Sequence, residues 1–246
     1  NVTNGDILDK AYIKEYLKMV APVPFPSRFI YGGKIREELS KYNHGLDEYN
    51  VYVGTEQLYK SYTSTIYDNN GKRGDEIVDI CTFLFKTPAG EDLLWGWYGI
   101  SEFSGVISDK GNPARGIRLR SGNIQIGSEA TLVRFHREQR GNFYFFGEVH
   151  ALHKELVPNA RRDYFSENEI LKIFEKELSE YFKKELYDLY YFASNIRTNQ
   201  KQINKYNEIA VEYKEKKFTD NETAEKYKEN LTETLEKAEK AEQTLA

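Results

Sequence analysis

The stretch Gly116-Ile-Arg-Leu-Arg-Ser-Gly-Asn-Ile-Gln-Ile-Gly127 sets the fold class. Its residues alternate, so as a strand it places Arg118 and Arg120 on one face and Ile117 and Leu119 on the other. Ser121-Gly122-Asn123 is turn chemistry inside the run. On either side lie further β-branched or aromatic runs, Tyr49–Val53, Ile77–Phe85, Leu93–Ile100 and Phe143–Leu152. Asn69-Asn70-Gly71, Pro88-Ala89-Gly90 and Gly111-Asn112-Pro113 separate them as turns. Ser128–Glu138 has a composition that allows a helix. From Ser166 the period changes. Ser166 and Glu169 have capping-box spacing, and Ile170, Leu171, Phe174, Leu178, Phe182, Leu186 and Leu189 follow a helical face. Several strands before one long helix predict an α+β fold with a sheet and helices on one face.

Composition divides the chain in three: 1–46, 47–193 and 194–246. In the first part, Ile13, Tyr16, Leu17 and Val20 mark a helix over Ile7 to Val20, stopped by Pro22, Pro24 and Pro26. Lys34 to Tyr42 reads as a second short helix. In the last part Ile196, Ile203, Tyr206, Ala210 and Tyr213 recur at steps of three and four. Thr219 and Glu222 repeat the capping-box spacing, and Ala224, Tyr227, Leu231, Leu235, Ala238 and Leu245 form a near-heptad seam. An unbroken helix from Ser166 to Lys217 would be about 78 Å long. A helical hairpin turning at Phe218–Asn221 is the predicted form.

The chain has 246 residues, of which 39% are apolar and 14% aromatic, enough to bury a substantial core. A net charge of -4 gives no global basic field for nucleic acid. No apolar run reaches the roughly 18 residues of a membrane span, and no secretory leader pattern is present. A single cysteine, Cys81, fits a reducing cytoplasm and reads as a small buried residue within Ile80–Phe85. The opening at Asn1, with Met19 the one methionine, suggests a segment of a longer protein.

No phosphate loop, dinucleotide fingerprint or nucleophile elbow is present. His150 and His153, at strand spacing, face opposite ways, which argues against a shared metal. They, with His44 and His136, read as ordinary surface or interface histidines. Trp95 and Trp97 lie two apart on one strand face, as core residues or as a face for a client protein. Arginine stands out instead. Arg115, Arg118, Arg120, Arg134, Arg137 and Arg140 occur without a lysine among them, and Arg118 with Arg120 could form an anion-facing surface. The loop Pro158-Asn159-Ala160-Arg161-Arg162-Asp163 lies just before a helix start, where free amides favour a phosphate. Asp163 can neutralise one arginine. The spare guanidinium is what an arginine finger requires.

At these residues the chain resembles a known family. Gly116–Gly127, Gly147-Glu-Val-His150, Leu156-Val-Pro-Asn-Ala-Arg-Arg-Asp163 and Ile170-Leu-Lys-Ile173 are similar to the middle segment of HtpG-type heat-shock chaperones. They look closer still to bacterial chaperone-like ATPases of the gyrase, heat-shock chaperone, histidine kinase and MutL superfamily (GHKL). The similarity covers about Leu46 to Leu189. It implies an S5 domain 2-like transducer over 47–193, with 1–46 a helical linker from an upstream ATP-binding domain. It also implies ATP and Mg²⁺ as cofactors of the full-length protein, an inactive isolated segment, and cytoplasmic location. The family motif Asn-x-Ser-Arg-Glu aligns with Asn159 and Arg162, so Arg162 would contact the ATP γ-phosphate. Arg161 replaces the serine and Asp163 the glutamate, which leaves Arg161 open as the contact; Arg162 is preferred. The magnesium-binding helix and glycine-rich lid of the ATP domain have no counterpart here.

Two alternatives stay open beside the transducer. One is a nucleic-acid-binding module using Arg115–Arg140, against which the acidity weighs. The other is a homodimerisation scaffold built on the C-terminal helices.

Overall fold

The computed structural model describes residues 9–216 and 221–245. It is an α+β chain dividing into two compact units, Asn1–Tyr187 and Asp188–Ala246. In the first unit, helices α1 (Lys10–Val20) and α2 (Gly32–Ser40) precede two small hairpins. These pair β1 (Tyr52–Val53) with β2 (Glu56–Gln57), and β3 (Thr65–Tyr67) with β4 (Arg73–Glu76). A five-stranded mixed sheet follows, made of β5 (Asp79–Lys86), β6 (Asp92–Ile100), β7 (Gly116–Ser121), β8 (Ile124–Ile126) and β9 (Phe146–Ala151). Its order is β5-β6-β9-β7-β8, antiparallel except for the β7–β9 pair. Helix α3 (Glu169–Tyr181) passes through a π-helical turn at Phe182–Leu186 into α4 (Tyr187–Glu215).

Strand β6, Asp-Leu-Leu-Trp-Gly-Trp-Tyr-Gly-Ile, is buried along almost its whole length, which requires cover on both faces. Trp95 and Trp97 face the N-terminal segment, where Phe25 and Phe29 pack 5.9 Å from the Trp97 ring. Met19, Ile35 and Leu39 join the same cluster. On the opposite face Tyr181 of α3 stacks 4.6 Å from Phe83, and its hydroxyl meets that of Tyr98 at 3.3 Å.

Met19, Phe25, Phe29, Ile35 and Leu39 are therefore part of the core, so the segment 9–46 is not a separate linker, and helical residues cover both faces of the sheet. The N-terminal segment shields the two tryptophans, at 1% and 0% exposure, so they present no face to a client. Cys81 is exposed, because β5 is an edge strand. Within 128–138 only a 3₁₀ turn forms, Val133–Phe135, with another at Gln139–Tyr144.

Close strand packing fixes Gly147. A Cβ there would lie 2.4 Å from the Trp97 carbonyl oxygen and 3.1 Å from Tyr98 Cα, backbone atoms that cannot swing aside. Gly147→Ala is expected to destabilise the protein by about 2–3 kcal/mol. Gly33→Ala, at an open helical position, should stabilise it by about 0.5–1 kcal/mol. Urea unfolding of the pair checks both signs; equal midpoints would contradict the packing argument.

In the second unit, α4 and α5 (Asn221–Leu245) form a helical hairpin. The ammonium of Lys216 sits 3.9 Å over the Tyr227 ring. Thr234, Ala238 and Ala241 are buried at steps of four and three, whereas Leu245 is exposed. The buried seam thus uses small residues more than the expected leucines. Of the expected turn at Phe218–Asn221, residues 218–220, with the Thr219 cap, lie outside the described residues. Among the described residues no helix is long and apolar enough to cross a membrane.

Candidate functional site

The Asn159–Asp163 turn is closed by backbone. Pro158 bridges Phe165, the Asn159 N–H donates to the Tyr164 carbonyl at 2.9 Å, and the Ser166 N–H donates to that of Val157 at 2.9 Å. At its tip the Arg162 N–H donates to the Asn159 carbonyl at 2.9 Å. The Arg162 carbonyl in turn accepts from the Gly127 N–H at 2.8 Å, docking the turn on the end of β8. Only glycine fits at 127: its φ is +67°, and a Cβ would meet the Asp163 carbonyl at 2.8 Å.

Each Asp163 carboxylate oxygen has a partner: the two take the Asn159 side-chain amide at 2.6 Å and the Arg161 Nε at 3.0 Å. Arg162 adopts φ of 52°, a left-handed backbone costing a non-glycine residue about 1–2 kcal/mol. Its side chain is exposed and has no partner among the described residues. The strained backbone is held by hydrogen bonds on both sides, so the guanidinium is free while its Cα is fixed.

The helix start does not supply the expected cap. Asn168, not Ser166, caps α3: its Oδ1 accepts from Leu171 N–H at 2.7 Å, and its Nδ2 donates to the Glu155 carbonyl at 2.7 Å. Ser166 is held by its ladder bond to Val157, leaving the cap to the next extended residue with a side-chain acceptor. Arg162 therefore precedes the helix by a full turn of chain, and its availability does not come from the helix dipole. Beside the turn, a cleft of about 560 Å³ is lined by Asn159, Tyr164, Arg134 and Lys172, with the Asn159 Oδ1 buried and unpartnered.

Arg118 and Arg120 form no anion-facing surface. Both are buried, at 5% and 0% exposure. Alternation does place them on one face, but the N-terminal segment covers that face. Arg120 donates to Glu148 at 2.5 Å, to the Asn123 carbonyl at 3.0 Å and to the Met19 carbonyl at the end of α1 at 2.9 Å. Arg118 donates to Gln125 at 3.0 Å and to the Pro113 carbonyl at 2.7 Å. The other arginines of the group are occupied too. Arg134 and Arg140 pair with Glu175 and Glu138, and Arg115 and Arg137 lie over the Phe143 and Tyr187 rings.

The sequence reading misses the centre of this arrangement, Glu148. It accepts from Lys60 at 2.8 Å and from Arg120, and all three side chains are fully buried. Tyr62 and His150 reach the same carboxylate at 3.2 and 3.1 Å. Burial alone would raise Glu148, but the adjacent Arg120 and Lys60 charges outweigh it and hold the carboxyl well below its usual range. Burial, helped by the Arg120 charge, pushes the Lys60 ammonium down to about 7. The signal was a lysine and a glutamate flanked by large apolar residues, Lys60 in Leu58–Tyr62 and Glu148 in Phe145–Val149.

Three of the four histidines are not surface residues, and His44 is half-buried. His150, His153 and His136 are buried, and His44 pairs with Asp92 at 2.9 Å. His150 and His153 pair separately, with Glu148 and with Glu91, and among the described residues no group of side chains is arranged to hold a metal. His136 Nε2 bonds the Asn142 Oδ1 at 3.1 Å, which also accepts from Ile117 N–H, so Nε2 is the donor. Its Nδ1 is buried without a partner, and protonation there would leave a buried charge unsolvated. Burial accordingly lowers its pKa from 6.5 to about 4.

Between these values the unfolded chain binds a proton that the folded chain does not, so stability falls as pH drops from about 6.5 to about 4. The expected loss is about 3 kcal/mol for this residue. His150, lowered for the same reason, adds in the same direction. Urea midpoints at pH 7 and pH 4.5 should lie closer together in His136→Gln than in the parent. Equal spacing would contradict the assignment.

A scan against protein-family models matches none, and a search of the curated proteins finds no match to this chain.

Proposed function

We propose that this chain is an ATPase-coupling module of a chaperone-like GHKL ATPase, presenting Arg162 to the γ-phosphate of a nucleotide held by an upstream domain. The observation that supports this reading most is the division of labour within the turn. Asp163 occupies Arg161, while Arg162 is exposed and, among the described residues, unpaired on a backbone fixed from both sides. A guanidinium so placed meets incoming negative charge with little rearrangement, and its planar fork matches phosphate oxygens. ATP and Mg²⁺ would be bound by the upstream domain. Arg161, tied to Asp163, and Asn159, which orients that carboxylate, support the turn.

The isolated chain is expected neither to hydrolyse ATP nor to bind it tightly. Added in trans to the nucleotide-binding domain of the full-length protein, it should raise that domain's turnover in a saturable way. No stimulation at any concentration would count against the coupling role.

A nucleic-acid reading loses its motivation, because Arg118 and Arg120 are buried and the remaining arginines of 115–140 are engaged.

A further inference from the structure

A groove of about 800 Å³ opens on the first unit, away from the Arg162 turn, and its volume falls in the range of small-ligand sites. Phe25 lines it, together with the hydroxyl-bearing Ser27, Tyr59, Ser61 and Tyr67. Ser61 is 7% exposed, and its hydroxyl has no partner among the described residues.

The charges around the groove are asymmetric. Its two carboxylates, Glu15 and Glu56, are each held by a lysine, Lys18 and Lys14. Arg28, also on the groove, is exposed and has no partner among the described residues. Beneath the Phe25 ring lies the Lys60 ammonium, 4.5 Å from its centroid. Lys60 and Arg120 share the single carboxylate of Glu148, while Arg118 has only neutral hydrogen-bond partners. Of these buried cations Lys60 lines the groove, so the positive end of the network lies next to it.

We infer that this groove is a binding site for a small aromatic phosphate monoester. The phosphate would take the Arg28 fork and the Ser61 hydroxyl. A phosphate offers three acceptor oxygens where a carboxylate offers two, and the groove supplies more donors than a carboxylate can use. The ring would lie against Phe25 and the tyrosines. This site shares no lining residue with the Arg162 turn and does not depend on the coupling reading.

Titration calorimetry of the full chain with phenyl phosphate tests the inference, with inorganic phosphate and phenol as the partial ligands. Saturable binding near 1 mM or tighter is expected for phenyl phosphate, on the order of −4 kcal/mol, and weaker binding for either part alone. Arg28→Ala should weaken it about tenfold, Arg28→Lys less, and Ser61→Ala about threefold. Arg162→Ala should leave it unchanged. Arg28 is on the surface, so its variants should remain folded. Absence of saturation in the parent chain would overturn the proposal, as would binding that survives both Arg28→Ala and Ser61→Ala undiminished.

Discussion

Glu148→Ala is expected to destabilise the first unit by about 3–5 kcal/mol, the scale for removing one partner of a buried ion pair. Lys60 and Arg120 would then lie buried with no carboxylate, their side chains having no access to water. Lys60 could relieve part of the strain by releasing its proton, since burial already brings it down to about 7. Arg120 cannot. The loss should therefore be larger below pH 7, where Lys60 stays charged, than above it. Replacing Glu148, Lys60 and Arg120 together with apolar residues of similar size should restore much of the stability, since such a swap removes all three desolvation penalties at once. Urea unfolding followed by fluorescence of the buried Trp95 and Trp97 reads both results. A Glu148→Ala loss below about 1 kcal/mol would contradict a fully desolvated network.

The same network shows how far the sequence was legible. Strand alternation in 116–127 correctly put Arg118 and Arg120 on one face, and the turn at 121–123 falls between β7 and β8. What alternation cannot say is whether a face meets water. That depended on α1, α2 and the proline-rich segment folding back over the sheet, a contact between residues such as Met19 and Arg120 far apart in the chain.

The resemblance implied a linker over 1–46, although Phe25, Phe29 and Ile35 are as apolar as any core residue. The helix beginning near 169 was legible from its period, but its cap was not. Ser166 has the right chemistry, yet a backbone bond to Val157 holds it in the ladder, and Asn168 takes the role. At the turn, local chemistry sufficed. A single acid among two adjacent arginines can satisfy one of them, and Asp163 holds Arg161.

In the proposed coupling role, Arg162 acts on a phosphate brought by a neighbouring domain, and its replacement has the largest expected effect on rate. Groups that stabilise charge on a transferring phosphoryl contribute mainly in the transition state. Arginine fingers are worth about 10³–10⁵ in turnover. Arg162→Ala should therefore act on turnover rather than on nucleotide affinity. Arg162→Lys should recover only a part, because an ammonium lacks the planar fork. Arg161→Ala should act more weakly and indirectly, by freeing Asp163 beside the active guanidinium. The most direct measurement is steady-state ATP turnover together with ATP affinity in the full-length protein and its Arg162→Ala variant. A fall of about 10³ or more in turnover with affinity nearly unchanged is expected; equal turnover in the two proteins would rule out the coupling role of Arg162.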